Sequence, residues 1–232
     1  MRILRVALMT VGGLAAVQAA DIEGQIVIKH KLTRPTVTAA ALSYERGVSV
    51  NLGAAQEEDP LAWERERVVI YLEGNLPSKP VTVTLEQKDR RFVSDTLVIP
   101  AGSTVSFPNL DPIFHNVFSL SKPKSFDLGS YPKDHTRTVT FSKPGVVFVH
   151  CHLHPNMAAA IVISPNLWNT KANAAGRFTL WGVPKGRYTI VAWHKAAGFF
   201  RQSIRVAENR ATSVEFVIPI GENGAGNALA RR

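Results

Sequence analysis

Residues 145–164 read GVVFVHCHLHPNMAAAIVIS. Two runs of strand-forming residues enclose the turn HCHLHPNM (150–157), which holds three histidines, the chain's single cysteine and one of its three methionines. Strand alternation over GVVFVHC puts Val147, Val149 and Cys151 on one face and Phe148 and His150 on the other. Cys151 therefore ends its strand pointing inward. Pro155 prevents the strand from continuing, so the chain turns and brings His154 and Met157 back toward the same point.

The same alternation runs through the neighbouring sequence. VTVTLEQ (81–87), TLVIP (96–100), STVSFPN (103–109), NVFSLS (116–121), TRTVTF (136–141), GVVFVHC (145–151) and AAAIVIS (158–164) are rich in Val, Ile, Phe and Thr and are separated by Pro, Gly, Asn and Asp. Short strands at this spacing predict an all-β fold, an antiparallel sandwich with Greek-key connections over residues 80–164. A second β region follows in GRFTLWGVP (176–184), GRYTIVAWH (186–194), FRQSIRVA (200–207) and TSVEFVIP (212–219), too short to close a sandwich alone. EGQIVIKHKL (23–32) and RVVIYLEG (67–74) are strands without partners of their own, joined through a polar stretch at 36–65 where a loop or short helix is expected. The economical arrangement is one discontinuous sandwich from residues 22–75 and 165–220, with 80–164 inserted into it. Residues 221–232, GENGAGNALARR, carry no apolar pattern and are expected to be disordered.

Arg2 and Arg5, an apolar run from Val6 to Val17 and a small-residue site at Val17-Gln18-Ala19 form the pattern of a secretory signal peptide over residues 1–19. The run is too short for a membrane anchor, and no later stretch is long enough to span a bilayer, so stable membrane insertion is not expected. Export is expected, into the periplasm if the host is Gram-negative. The formal net charge is +9, but the positive residues are scattered apart from KDRR (88–91) and Arg231-Arg232. Nucleic acid is therefore not an expected partner, and the charge reads as a solvated surface with slight steering toward acidic partners. One cysteine permits no internal disulfide, which leaves a free thiol, an intermolecular bridge or a metal ligand.

A soft thiolate, two neutral imidazoles and a weak thioether are the donor set of an electron-transfer copper site. Cys151, His154 and Met157 supply three of the four, and His115, at the start of a strand after the turn-rich SFPNLDPIF, supplies the other imidazole. Asn116 beside it can tie the two ligand segments together. Structural zinc prefers four strong donors, and a thioether completes such a set poorly. The HCH triplet also evokes the trinuclear copper cluster of multicopper oxidases, but that cluster needs many more histidines than His30, His115, His135 and His194 add. A binuclear purple centre needs two bridging thiolates and is excluded.

On these residues the segment 80–164 resembles a cupredoxin, the small blue-copper fold. His115-Asn116-Val117 and the loop C-x-x-H-P-x-M (Cys151, His154, Pro155, Met157) are most similar to the amicyanin type. The resemblance implies one type 1 copper site, with His115, Cys151 and His154 as strong equatorial ligands and Met157 as the weak axial one. It leaves His150 and His152 off the metal. AAGRFTLWGVPKGRYTIVAWH resembles the carboxypeptidase-regulatory, transthyretin-like β-sandwich, with its G-x-F-x-L and V-P-x-G-x-Y pattern. The chain as a whole is similar to bacterial periplasmic proteins grouped under methylamine utilisation.

The resemblance implies a non-enzymatic electron carrier whose copper alternates between Cu(I) and Cu(II). Its redox partner would be a protein such as a cytochrome or a dehydrogenase, met through the His154 edge. The alternatives are a copper storage or delivery protein and a nitrite-reductase-like enzyme, in which His150 beside Cys151 would lead toward a second copper. His152 is expected at the surface of the loop, and His194, at the end of TIVAWH, is expected to be satisfied or exposed.

Overall fold

The computed structural model describes residues 19–33, 59–208 and 210–219. All but the last residue of the expected leader, most of the 36–65 connection and the expected disordered tail lie outside the described residues. The described chain is all-β apart from α1 (Ala62–Arg65). No helix among the described residues is long and apolar enough to cross a membrane.

Four main sheets are stacked. The first has the order β14 (Arg177–Pro184), β1 (Ala19–Ile28), β17 (Thr212–Ile218). The second has the order β13 (Asn169–Lys171), β2 (Val69–Glu73), β15 (Gly186–His194), β16 (Gly198–Val206). The third runs β6 (Thr96–Pro100), β12 (Ala158–Ser164), β11 (Gly145–His150), β8 (His115–Ser121), β9 (Lys124–Tyr131). The fourth runs β10 (Thr136–Phe141), β7 (Ser103–Pro108), β3 (Thr82–Thr84), and a small hairpin pairs β4 (Gln87–Lys88) with β5 (Arg91–Phe92).

Period-two alternation fills the three spaces between these layers. Ile22, Ile26 and Ile28 of β1 meet Ile70 and Leu72 of β2 and Ile190 and Ala192 of β15 between the first two sheets. Val105, Phe107, Val139 and Phe141 meet Val117, Val147, Val149, Ala159, Ile161 and Ile163 between the last two. The middle space is a seam in which Val69 and Tyr71 of β2 and Val191 and Trp193 of β15 face Ala160 and Val162 of β12, flanked by Val98, Val146 and Phe148. Strand β12 is thus buried on both faces, which is why AAAIVIS shows no polar alternation. Tyr71 is wedged into this seam, and burial pushes its hydroxyl pKa up to about 12. In the first layer, Gly24 lies opposite the Phe178 ring, which occupies the space where a Cβ would stand.

Several local expectations are corrected. The sandwich is not wholly antiparallel: β3–β7, β6–β12 and β1–β17 are parallel pairs, each reached by a long crossover, as parallel pairing requires. The expected strand 81–87 is split into β3 and β4. The KDRR cluster is exposed, as expected of solvated surface, and in addition forms a hairpin turn in which Asp89 and Arg90 take positive φ of 55° and 57°. Strands β9 and β13 were not among those expected; β9 is an edge strand of alternating exposure, interrupted in pattern by Gly129.

Glu64 in α1 is fully buried and joins three segments. Its Oε1 accepts from the Leu32 N–H (3.1 Å), the Thr33 N–H (2.9 Å) and the Thr33 hydroxyl (2.6 Å). Its Oε2 lies 3.1 Å from Nε2 of the equally buried His194, without the alignment of a straight hydrogen bond. The Ala196 N–H donates to His194 Nδ1 at 3.3 Å, which leaves the ring proton on Nε2, facing the carboxylate. Burial pushes the His194 pKa down, and the attraction of Glu64 does not restore it; Arg67 and Asp95 act in opposite directions from farther away. Burial acts to raise the Glu64 carboxyl, but the Thr33 and Leu32 bonds and His194 hold it below its ordinary value.

Two outcomes follow for stability. Trp193→Ala empties the seam's largest side chain and should lower unfolding free energy by about 3–5 kcal/mol in a denaturant titration. Folding holds the His194 pKa below the ordinary value of about 6.5 that the unfolded chain regains, so stability should fall as pH drops through that value. Denaturant midpoints at pH 7.5 and 5.5 should differ less in His194→Gln than in the wild type; equal differences would contradict a lowered His194 pKa.

Candidate metal centre

The inward parity of Val147 and Val149 continues to Cys151, which is buried. The loop after it closes on itself, the Cys151 N–H donating to the Met157 carbonyl (3.2 Å) and the Met157 N–H to the His154 carbonyl (2.9 Å). His115, fully buried, opens β8 on the adjacent strand. Cys151 Sγ lies 4.0 Å from Nδ1 of His115 and 3.7 Å from Nδ1 of His154, and the two Nδ1 atoms are 3.1 Å apart. Among the described residues this is the one grouping of three or more His, Cys, Asp or Glu side chains with metal-ligand proximity.

The donor set fits a thiophilic transition metal. Bonds of about 2.0 Å to imidazole nitrogen and about 2.3 Å to thiolate sulfur are compatible with separations of this size. Both rings turn Nδ1 inward, which leaves each Nε2 for another role. The Nε2 of His115 lies 2.6 Å from Asp111 Oδ2, deep in the protein. The Nε2 of His154, on a half-exposed ring, has no hydrogen-bond partner among the described residues. Met157 is fully buried at the end of the loop, in the same apolar cluster as Cys151.

Asp111 was not among the expected site residues. Its carboxylate accepts from the N–H groups of Asp89 (2.7 Å) and Arg90 (2.8 Å), so the positive-φ hairpin turn is seated on the carboxylate that holds His115. Burial acts to raise its pKa, but the bonds from Arg90, His115 and Asp89 overcome this and keep it below the ordinary carboxylate range. The Asp111 N–H donates to Asn109 Oδ1 (2.9 Å), and Asn109 Nδ2 donates to the carbonyls of Ile113 (2.8 Å) and Tyr131 (3.1 Å). The Tyr131 hydroxyl accepts from Gln87 (2.6 Å) and donates to the Phe107 carbonyl (3.0 Å), and burial pushes its pKa up to about 12. The signal in the sequence is NLDP four residues before His115, an Asx-turn pattern whose carboxylate has no other evident task.

Asn116 lies between the two ligand segments. Its N–H points to Cys151 Sγ at 3.5 Å, its Oδ1 accepts from the His152 N–H at 3.4 Å, and its Nδ2 donates to Asp127 at 2.6 Å. The Gly129 N–H and Asn116 together lower the Asp127 pKa. His152 is exposed, stacked on Phe118 with ring centroids 3.6 Å apart, and its Nε2 is 3.6 Å from Asp127 Oδ2. His150 is half-buried on the outer face of β11, tilted against the same Phe118 at 5.8 Å. Neither joins the His115, Cys151 and His154 grouping. His194 is engaged by Glu64 and Ala196, His30 is exposed, and His135 is an exposed loop residue whose Nδ1 lies 3.0 Å from the Lys133 carbonyl.

No family model matches the chain, and no curated protein matches it. Among solved structures it is similar to a Cu-containing nitrite reductase (NirK) from Thermus scotoductus SA-01, with 27% identity over 38% of this chain and 24% of that one, and a TM-score of 0.36. It is similar also to the reduced Cu(I) form of an amicyanin mutant, with 21% identity over 35% of this chain and 81% of that one (TM-score 0.34). A purple cupredoxin from Nitrosopumilus maritimus matches with 25% identity over 33% and 84% (TM-score 0.30). The chain spans about a quarter of the nitrite reductase it matches.

Removing the carboxylate that orients a ligating imidazole costs about 10–100-fold in metal affinity. Asp111→Ala should weaken copper binding by that factor in a competition titration with a chelator, and unchanged affinity would show that His115 needs no such support.

Proposed function

We propose that this chain is an exported type 1 copper protein that carries single electrons between protein partners. The observation that carries the reading is the meeting of two imidazole Nδ1 atoms and one thiolate sulfur at the edge of a rigid β-sandwich. Copper bound there supplies a one-electron Cu(II)/Cu(I) couple. The protein's part is to hold the donors still. His115 is fixed by Asp111, Cys151 by its strand and the Asn116 N–H, and His154 by the loop closure through Met157. Met157 is read as the weak axial donor.

His154 differs from His115 in having its far edge toward solvent. Exposed Ile113 and Phe114 directly precede one ligand, and exposed Leu153 directly precedes the other. These side chains form an apolar rim suited to a brief encounter that buries little area. A cytochrome or a dehydrogenase is the class of partner such a rim fits. The first two sheets are read as a transthyretin-like module formed by residues 22–75 and 165–220, into which the copper-binding segment 80–164 is inserted. The leader-like start of the chain supports export, and periplasmic residence in a Gram-negative host.

The test is the visible and electron-spin spectrum of the copper-loaded protein. A strong thiolate-to-copper band is expected, lost in Cys151→Ser and retained in His152→Ala. A band that survives loss of Cys151, or disappears with His152, would overturn the ligand assignment. Rapid, reversible electron exchange with a soluble cytochrome separates a carrier from a storage protein, which would instead yield copper readily to an acceptor.

A further inference from the structure

The face of the second sheet that carries Val191 and Trp193 into the seam continues along β15 to Thr189 and Arg187. Across the ladder it continues on β16, where Arg201 faces Val191, Ser203 faces Thr189 and Arg205 faces Arg187. The third sheet covers Val191 and Trp193. The Gly186 end is uncovered, and there Arg187, Thr189, Ser203 and Arg205, with Glu73 and Asn75, line an open groove of about 930 Å³.

Two guanidiniums directly opposite each other weaken an antiparallel pair. Nothing among the described residues relieves the pair. Arg187 and Arg205 have no ion-pair partner there, and the carboxylate in the groove, Glu73, is engaged by Arg201 at 3.0 Å. The side chains of Thr189, Ser203 and Asn75 make no hydrogen bond among the described residues, so the row beside the arginines offers unused hydroxyls. Cations on an outermost strand can serve to block edge pairing. Arg205 lies on the outer strand β16 and Arg187 two residues past the end of the β15 pairing with β2, so both also guard an open corner of the sheet, which leaves their lack of a counter-charge unexplained.

We propose that this groove docks carboxylate side chains of an acidic protein partner, with the two guanidiniums and neighbouring hydroxyls as donors. The exposure of Arg187, Ser203 and Arg205 favours a polypeptide surface, since a small anion would not be enclosed there. Guanidinium forks match carboxylates in geometry as well as charge. The net charge of +9 steers such a partner toward the protein. The far end of β15 is His194, and a cleft beside it is lined by Asn156 of the ligand loop and Ala158 at the start of β12. At about 3.3 Å per residue, the groove lies roughly 23 Å along the strand from that end. The docking chemistry is independent of whether copper is bound.

Binding of hexaglutamate to the full chain is the direct test, set beside inorganic phosphate and vesicles of mixed anionic and neutral phospholipid. Hexaglutamate should bind with an affinity that falls as salt rises. Replacing Arg187→Gln together with Arg205→Gln should weaken it at least tenfold, while Lys29→Gln with Lys31→Gln, an equal charge loss at exposed positions just after β1, should not. The arginine double variant should keep or raise the denaturant midpoint, because a like-charge pair is removed. The proposal fails if both double variants weaken hexaglutamate equally, if the midpoint falls, or if the arginine variant loses only phosphate or vesicle binding. None of these readouts depends on the metal, so a failure here and a failure of the copper reading are separate results.

Discussion

Strand β12 has no solvent face, and that constraint organises the rest. Ala159, Ile161 and Ile163 close one apolar core, while Ala160 and Val162 close the seam toward β2 and β15. A one-residue slip would exchange the two sets, placing branched side chains where Ala160 now allows the layers to approach. The register of β12 against β11 is thereby set by packing on both sides, with His150 opposite Ala158. The loop between these strands inherits the constraint. Cys151 and Met157 are its two ends, and their backbones are hydrogen-bonded to each other.

What the strands place, a buried polar frame then orients. Asp111 accepts from two backbone N–H groups of a strained turn and from the His115 imidazole. Residues with positive φ that are neither Gly nor Asn are costly, and Arg90 is one. Its N–H is aimed at a carboxylate that needs donors, and the turn is held in place by the same group that orients His115. The imidazole in turn has its Nε2 occupied, so Nδ1 is left to face Cys151. Backbone strain, a carboxylate and the orientation of the His115 ring form one connected arrangement.

The legible part of this protein was its periodicity. Parity along GVVFVHC places Cys151 in the interior, and the structure has it buried; the same parity puts His150 on the outer face, against Phe118. The rest was hidden for physical reasons. β9 is an edge strand that needs only half its residues apolar, so KSFDLGSY carries a faint signal. KDRR reads as charge when its work is done by main-chain N–H groups, which no side-chain inventory displays. Asp111 looks like turn punctuation because its partners, Asp89 and Arg90, are remote in sequence. Glu64 and His194 belong to elements 130 residues apart, joined only once the layers stack.

The two histidines that flank Cys151 show why spacing alone is an unsafe guide to a metal site. HCHLH offers three imidazoles at alternate positions, which on a continuing strand would share one face. The strand does not continue. It ends at His150, and the turn through Pro155 takes His154 inward while His152 is stacked flat on Phe118, near Asp127. Asn116 enforces the difference from the neighbouring strand, accepting the His152 N–H while directing its own N–H at the Cys151 sulfur. Asn116 thus touches both Cys151, through its backbone N–H, and His152, through its side chain, and that side chain is anchored by Asp127 on the edge strand β9. The edge strand hardest to see in the sequence therefore helps to hold His152 away from the His115, Cys151 and His154 grouping.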